Sequence, residues 1–118
     1  MKTFLAALFI CFAMPISAQL ATTALSGTLR VLDKITGRTL DLRFGNGQTH
    51  TVGLLAITMT ECRYPSGNQS GDAYALLTIV YNNASDPVFR GWMIASSPAL
   101  NALDHPRYDV WTLRCSSK

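Results

Sequence analysis

Apolar and polar side chains alternate with a two-residue period along much of this chain, which predicts strands rather than helices. The clearest case is residues 39–44, where Leu40, Leu42 and Phe44 share one face and Asp41 and Arg43 the other. Residues 28–32 form a preceding strand, with Thr36-Gly37 in the turn between the two. Gly45-Asn46-Gly47 follows, and its Asn-Gly pair suits the positive backbone angles of a tight hairpin turn, from which residues 49–52 return. In residues 54–62 the alternation sets Leu55, Ile57 and Met59 opposite Thr58 and Thr60, and Cys62 falls on the threonine face. Burying both the methyl-rich face and Cys62 requires the strict period to break between Met59 and Cys62, as a β-bulge allows.

Residues 65–72 hold two glycines with Ser66, Asn68 and Ser70 and read as a surface loop. Residues 73–81 are apolar on both faces, as a central strand requires. Residues 82–87 turn the chain again, and residues 88–95 form the next strand. Ser97-Pro98 then predicts a short helix: Ser97 is a cap residue and Pro98 suits the first helical position. Leu100 and Leu103 would face inward, and Pro106 ends the helix near residue 104. Residues 109–115 close the chain as a strand with Trp111, Leu113 and Cys115 on one face, which makes Trp111 a core residue. About seven strands and one short helix predict an all-β fold, a small antiparallel sandwich or barrel.

The first residues differ in kind. Met1-Lys2-Thr3 is a positive start, residues 4–13 are an unbroken apolar run, and Ile16-Ser17-Ala18 offers a small residue for cleavage. This pattern predicts a removed signal peptide over residues 1–18, since a run of about ten residues falls well short of the about 20 that span a bilayer. No retained membrane anchor is expected, and Cys11 lacks the small residues before it that lipid attachment needs. Residues 19–26 have no period and read as a flexible arm ahead of a single β domain over residues 27–118.

Loss of Cys11 leaves Cys62 and Cys115, an even pair in a chain bound for an oxidising compartment, periplasmic or secreted. A disulfide between them is expected. No Cys-x-x-Cys is present and His50 and His105 lie on separate elements, so neither a metal nor another cofactor is expected. The formal net charge of +3 comes from cations scattered singly among acids, which excludes a nucleic-acid footprint.

Side chains with chemistry crowd between Gly91 and Cys115. Ser96 or Ser97, with His105 and Asp109, holds the residue types of a hydrolase triad. Against it, there is no Gly-x-Ser-x-Gly elbow, helix capping accounts for Ser97, and Pro106 restricts His105. No catalytic residue is assigned, and a small envelope hydrolase using Ser96 or Ser97 with His105 stands as the alternative. A structural or inhibitor-like module acting through the loop at residues 65–72 is a third reading. The favoured reading is a non-catalytic binding module with a surface of Trp92, Asn101, Asp104, His105 and Tyr108.

Several blocks point to one family. Leu32-Asp33-Lys34-Ile35-Thr36-Gly37-Arg38, Cys62-Arg63-Tyr64-Pro65, Gly91-Trp92-Met93, Ala95-Ser96-Ser97-Pro98, Leu100-Asn101-Ala102-Leu103, His105-Pro106 and Tyr108-Asp109-Val110-Trp111 resemble the "domain of unknown function 2155". The resemblance covers most of the chain after residue 18. It implies an exported protein of Gram-negative bacteria with one cysteine pair, and it brings no activity, cofactor or catalytic residue. Joined to the residues' own reading, it makes the chain an exported periplasmic β-domain whose partner is an envelope protein or glycan.

Overall fold

Eight strands account for the regular structure in the computed structural model, which describes residues 20–117. The expected signal peptide, residues 1–18, lies outside the described residues. The strands are β1 (Ala21–Thr23), β2 (Ser26–Asp33), β3 (Thr39–Gly45), β4 (Gln48–Val52), β5 (Leu55–Pro65), β6 (Tyr74–Tyr81), β7 (Phe89–Ile94) and β8 (Tyr108–Ser116). They form two antiparallel sheets. One runs β5-β6-β7, with β4 and β1 sharing the other edge of β5, β4 along residues 55–59 and β1 along residues 63–65. The other is the three-stranded β3-β2-β8. Between them lie Leu29, Val31 and Phe44 from one sheet and Leu55, Ile57, Met59, Leu77 and Ile79 from the other, all essentially unexposed.

The expected break in β5 is present. Met59 pairs with Leu77 but Glu61 pairs with Leu76, so Thr60 is an extra residue. That one residue rotates the strand enough for Met59 and Cys62 both to be fully buried. Cys62 bridges to Cys115 with a Cα–Cα distance of 5.7 Å and joins β5 of one sheet to β8 of the other. Gly27, in β2 opposite Cys115, packs on this bridge. A Cβ at Gly27 would lie 2.8 Å from Cys62 Sγ and 2.9 Å from Met59 Sδ, closer than packed atoms tolerate.

A second bulge corrects the reading of β8. Thr28 pairs with Arg114 and Leu29 with Thr112, which leaves Leu113 extra. Tyr108, Val110, Thr112 and Cys115 therefore point inward, while Trp111 and Leu113 are half-buried on the outer face. Trp111 is not a core residue, because the bulge puts it out of phase with Cys115.

Three further expectations change. The short helix at residues 97–104 is absent, and no helix occurs among the described residues. Ser97 N–H donates to Ile94 O and Leu100 N–H to Ser97 O, closing single turns. Leu103 is buried while Leu100 is 74% exposed, so the two do not share a face. A segment of this length between Pro98 and Pro106 cannot repay helix nucleation. Residues 21–26, expected as a flexible arm, instead supply β1 and open β2. Thr22 pairs with Tyr64, Ala24 N–H donates to Cys62 O, and Ala24 is buried, because the rim of β5 offers unpaired backbone groups there. Asn46-Gly47 turns tightly, with Gly47 at φ 79°, but does not join paired strands. It carries the chain from β3, which pairs with β2, to β4, which pairs with β5.

Candidate functional site

Three of the blocks quoted for the family meet at one end of the sandwich. In the β2–β3 loop, Asp33 Oδ1 accepts from the N–H groups of Ile35 and Thr36, and Gly37, at φ 74°, donates to Asp33 O. The loop is then tied to the segment before β8. Lys34 N–H donates to Arg107 O at 2.7 Å, Lys34 Nζ to His105 O at 2.9 Å, and Arg107 Nη2 to Asp33 Oδ2 at 3.2 Å. His105 is buried at the centre of this lock. Its Nδ1 accepts from the backbone N–H of Arg107 at 3.1 Å and of Tyr108 at 3.2 Å, which places the neutral ring's proton on Nε2. The ring packs against Tyr81 at a tilt of 51°, with centroids 4.5 Å apart, and beside Tyr108 at 5.7 Å.

A cavity of about 340 Å³ opens beside this lock, between the β2–β3 loop and the β4–β5 turn. Val31, Leu40 and Val52 form its apolar wall, and Thr36, Arg38, Arg107 and Tyr108 its polar one. The two-residue Gly53-Leu54 turn holds Gly53 at φ 57°, and a Cβ there would collide with the Tyr108 hydroxyl. Tyr108 is 1% exposed, yet no group among the described residues hydrogen-bonds its hydroxyl. Arg107 Nε is buried without a partner, while its guanidinium lies 5.2 Å from the Tyr108 ring centroid.

The outer face of β5-β6-β7 carries a second feature. Register sets Trp92 opposite Leu76, Ile94 opposite Tyr74, and Tyr74 opposite Arg63. Arg63 places its guanidinium 5.2 Å from the Trp92 ring centroid and pairs with Glu61 at 2.6 Å. Ala21 of β1, Arg63, Tyr74, Trp92 and Ile94 line a shallow hollow of about 240 Å³.

The five-residue surface expected from sequence therefore does not exist as one patch. Trp92 is half-buried on the sheet face and Asp104 is exposed, but His105 and Tyr108 are interior. Asn101 donates its side-chain N–H to Trp92 O at 2.8 Å, covering a backbone group on the open edge of β7. The triad residues are also dispersed. Ser96 Oγ donates to Asp72 Oδ2 at 2.5 Å, His105 Nδ1 is occupied by backbone, and Asp109 Oδ1 accepts from Val110 N–H. No side chain of Ser96, Ser97, His105 or Asp109 hydrogen-bonds another of the four, so the arrangement a hydrolase needs is not assembled among the described residues. Among the described residues no three His, Cys, Asp or Glu side chains cluster as a metal site. The loop at residues 65–72 folds on itself through Asn68 N–H to Pro65 O and Gly71 N–H to Asn68 O, and borders Leu113 and Arg114 rather than standing free.

Three carboxylates are held below their ordinary range. Burial pushes Asp33 upward, but hydrogen bonds from Arg107, Ile35 and Thr36 outweigh it. Burial likewise opposes Asp72, where Ser96 and Ala73 prevail, and the Arg30 hydrogen bonds dominate at Asp41. A carboxylate whose folded-state value is depressed adds stability above its unfolded value of about 3.9, and loses it as pH falls through the folded value. Urea midpoints are expected to hold steady down to about pH 5 and to drop below about pH 4, with Asp33→Asn showing a shallower drop. An unchanged slope in Asp33→Asn would remove Asp33 from that account.

Residues 27–115, from the glycine on the disulfide to its second cysteine, match the family described as "Uncharacterized protein conserved in bacteria (DUF2155)". The chain belongs to this family. The DUF2155 match spans β2 through nearly all of β8 and so covers both the locked end and the Trp92 face. The chain is also 30% identical over 93 residues to Uncharacterized protein RP359 of Rickettsia prowazekii (strain Madrid E). That alignment covers 76% of this chain and 60% of the relative, so the chain spans less than two thirds of that protein's length. No solved structure matches the chain.

Proposed function

We propose that this DUF2155 domain is exported and serves, without catalysis, as a docking module for a protein of the cell envelope. The observation that carries the reading is the uncovered face of β5-β6-β7, where Tyr74, Leu76, Trp92 and Ile94 form a half-buried aromatic and aliphatic surface. A sugar ring stacked on Trp92 would need hydrogen-bonding groups around it. The hollow supplies almost none: its only charged side chain, Arg63, is already paired with Glu61. An apolar protein side chain suits it better, and Trp beside Arg is the composition of binding hot spots. Export is supported by the buried Cys62–Cys115 bridge, which persists in oxidising compartments.

The test is site-specific photocrosslinking from position Tyr74 in cells of the source, followed by binding measurements with the captured protein. Trp92→Ala is expected to weaken that complex by about 2 kcal/mol, roughly thirtyfold, with little change in melting temperature. Capture of glycan strands instead of protein, or equal affinity in Trp92→Ala, would overturn the proposal.

A further inference from the structure

The cavity beside the β2–β3 loop is chemically unlike the Trp92 face. Its two cations, Arg38 and Arg107, differ in state. Arg107 is anchored to Asp33, whereas Arg38 is exposed and takes part in no ion pair among the described residues. The Tyr108 hydroxyl tips a buried ring, faces Gly53 at the cavity wall and has no hydrogen-bond partner among the described residues. A hydroxyl with no protein partner at a cavity wall is free to donate to whatever enters the cavity. Leu40, an aliphatic side chain left 46% exposed, lines the same space.

These features define a ligand. Two guanidinium groups and a hydroxyl donor call for an anion, since arginine forks match planar oxyanions. Asp33 in the same wall cancels one of the two positive charges, so the site balances one negative charge rather than two. Val31, Leu40 and Val52 call for an apolar body attached to that anion. The volume of about 340 Å³ is at the small end for organic ligands, which occupy about 300–1,000 Å³. We propose that the cavity binds a small organic monocarboxylate, with its carboxylate between Arg38 and the Tyr108 hydroxyl and its apolar body against Leu40 and Val52. The site is separate from the Trp92 face, and either stands if the other fails.

The probe is benzoate, titrated into the isotope-labelled domain with disulfide intact and followed by backbone amide shifts. Benzamide and inorganic phosphate serve as comparators. Benzoate is expected to shift Thr36, Arg38 and Gly53 saturably, and the neutral amide and the phosphate to bind at least about tenfold more weakly. Arg38→Gln and Tyr108→Phe, both conservative and checked by an unchanged spectrum elsewhere, are expected to weaken benzoate about tenfold and about fivefold. No saturable shift at these amides, phosphate binding as tightly as benzoate, or full affinity in both variants would each overturn the assignment.

Discussion

Replacing Cys62 and Cys115 together by alanine is expected to lower the unfolding free energy by about 4 kcal/mol, most of what a small domain has to spare. The bridge closes a 53-residue separation, and its main action is to restrict the unfolded chain. In the folded state it also joins the two sheets at the point where both strands bulge. Alanine rather than serine is the right replacement, because Cys62 is fully buried and a hydroxyl there would be left unsatisfied. For a domain of this size the loss corresponds to a fall in melting temperature of about 15–30 °C. Gly27 supplies an internal control. Gly27→Ala should destabilise the bridged protein, since its Cβ would press on Cys62 Sγ and Met59 Sδ, and should cost less where the cystine sulfurs are gone and Met59 Sδ alone has to shift. The two changes therefore couple, and thermal melts of the four proteins measure the coupling. Additive effects would show that Gly27 does not pack on the bridge in solution.

The two bulges explain what the sequence made legible. At Thr60 two burial demands, Met59 and Cys62, stood three residues apart, a spacing no regular strand satisfies, so the break could be placed from composition alone. At Leu113 no such conflict was visible. Trp111, Leu113 and Cys115 make a self-consistent apolar face, and only the pairing of Leu29 with Thr112 reveals that Trp111 lies outside. The Ser97-Pro98 signal failed for a related reason: cap chemistry is local, whereas the Asn101 contact that draws this segment across the edge of β7 is not. β1 was invisible because three residues carry no period, and what orders them is the open rim of β5.

The site was legible as blocks but not as a place. Leu32 to Arg38 and His105 to Tyr108 stood out in the chain, yet their meeting depends on β2 and β8 being neighbours, with Asp33 registered against Tyr108. His105 looked like an outward contact and is instead an interior acceptor for two backbone N–H groups. Asp72, which holds Ser96, had no local signal at all, being 24 residues away in sequence. Gly53 falls between the strands expected at residues 49–52 and 54–62, with no signal of its own. Its role follows from the Tyr108 hydroxyl that fills the space a side chain would take.

Tyr108 joins these threads and yields the second large effect. Tyr108→Ala is expected to cost about 3–5 kcal/mol, as for other large buried aromatic rings, because it empties the space beneath His105, Tyr81 and Arg107. Tyr108→Phe keeps the ring and its contacts and removes only an oxygen that no group among the described residues bonds. Its cost is expected to stay within about 1 kcal/mol, because no partner is left unsatisfied. Urea unfolding of the three proteins at neutral pH measures both steps. A Phe variant that lost more than about 2 kcal/mol would mean the hydroxyl is bonded inside the folded protein, and the donor assigned to the cavity would then be spent on structure. If the small cost is found, Tyr108→Phe becomes the variant that separates folding from ligand capture: the ring it keeps holds the end of the sandwich together, and the hydroxyl it lacks is the one assigned to the cavity.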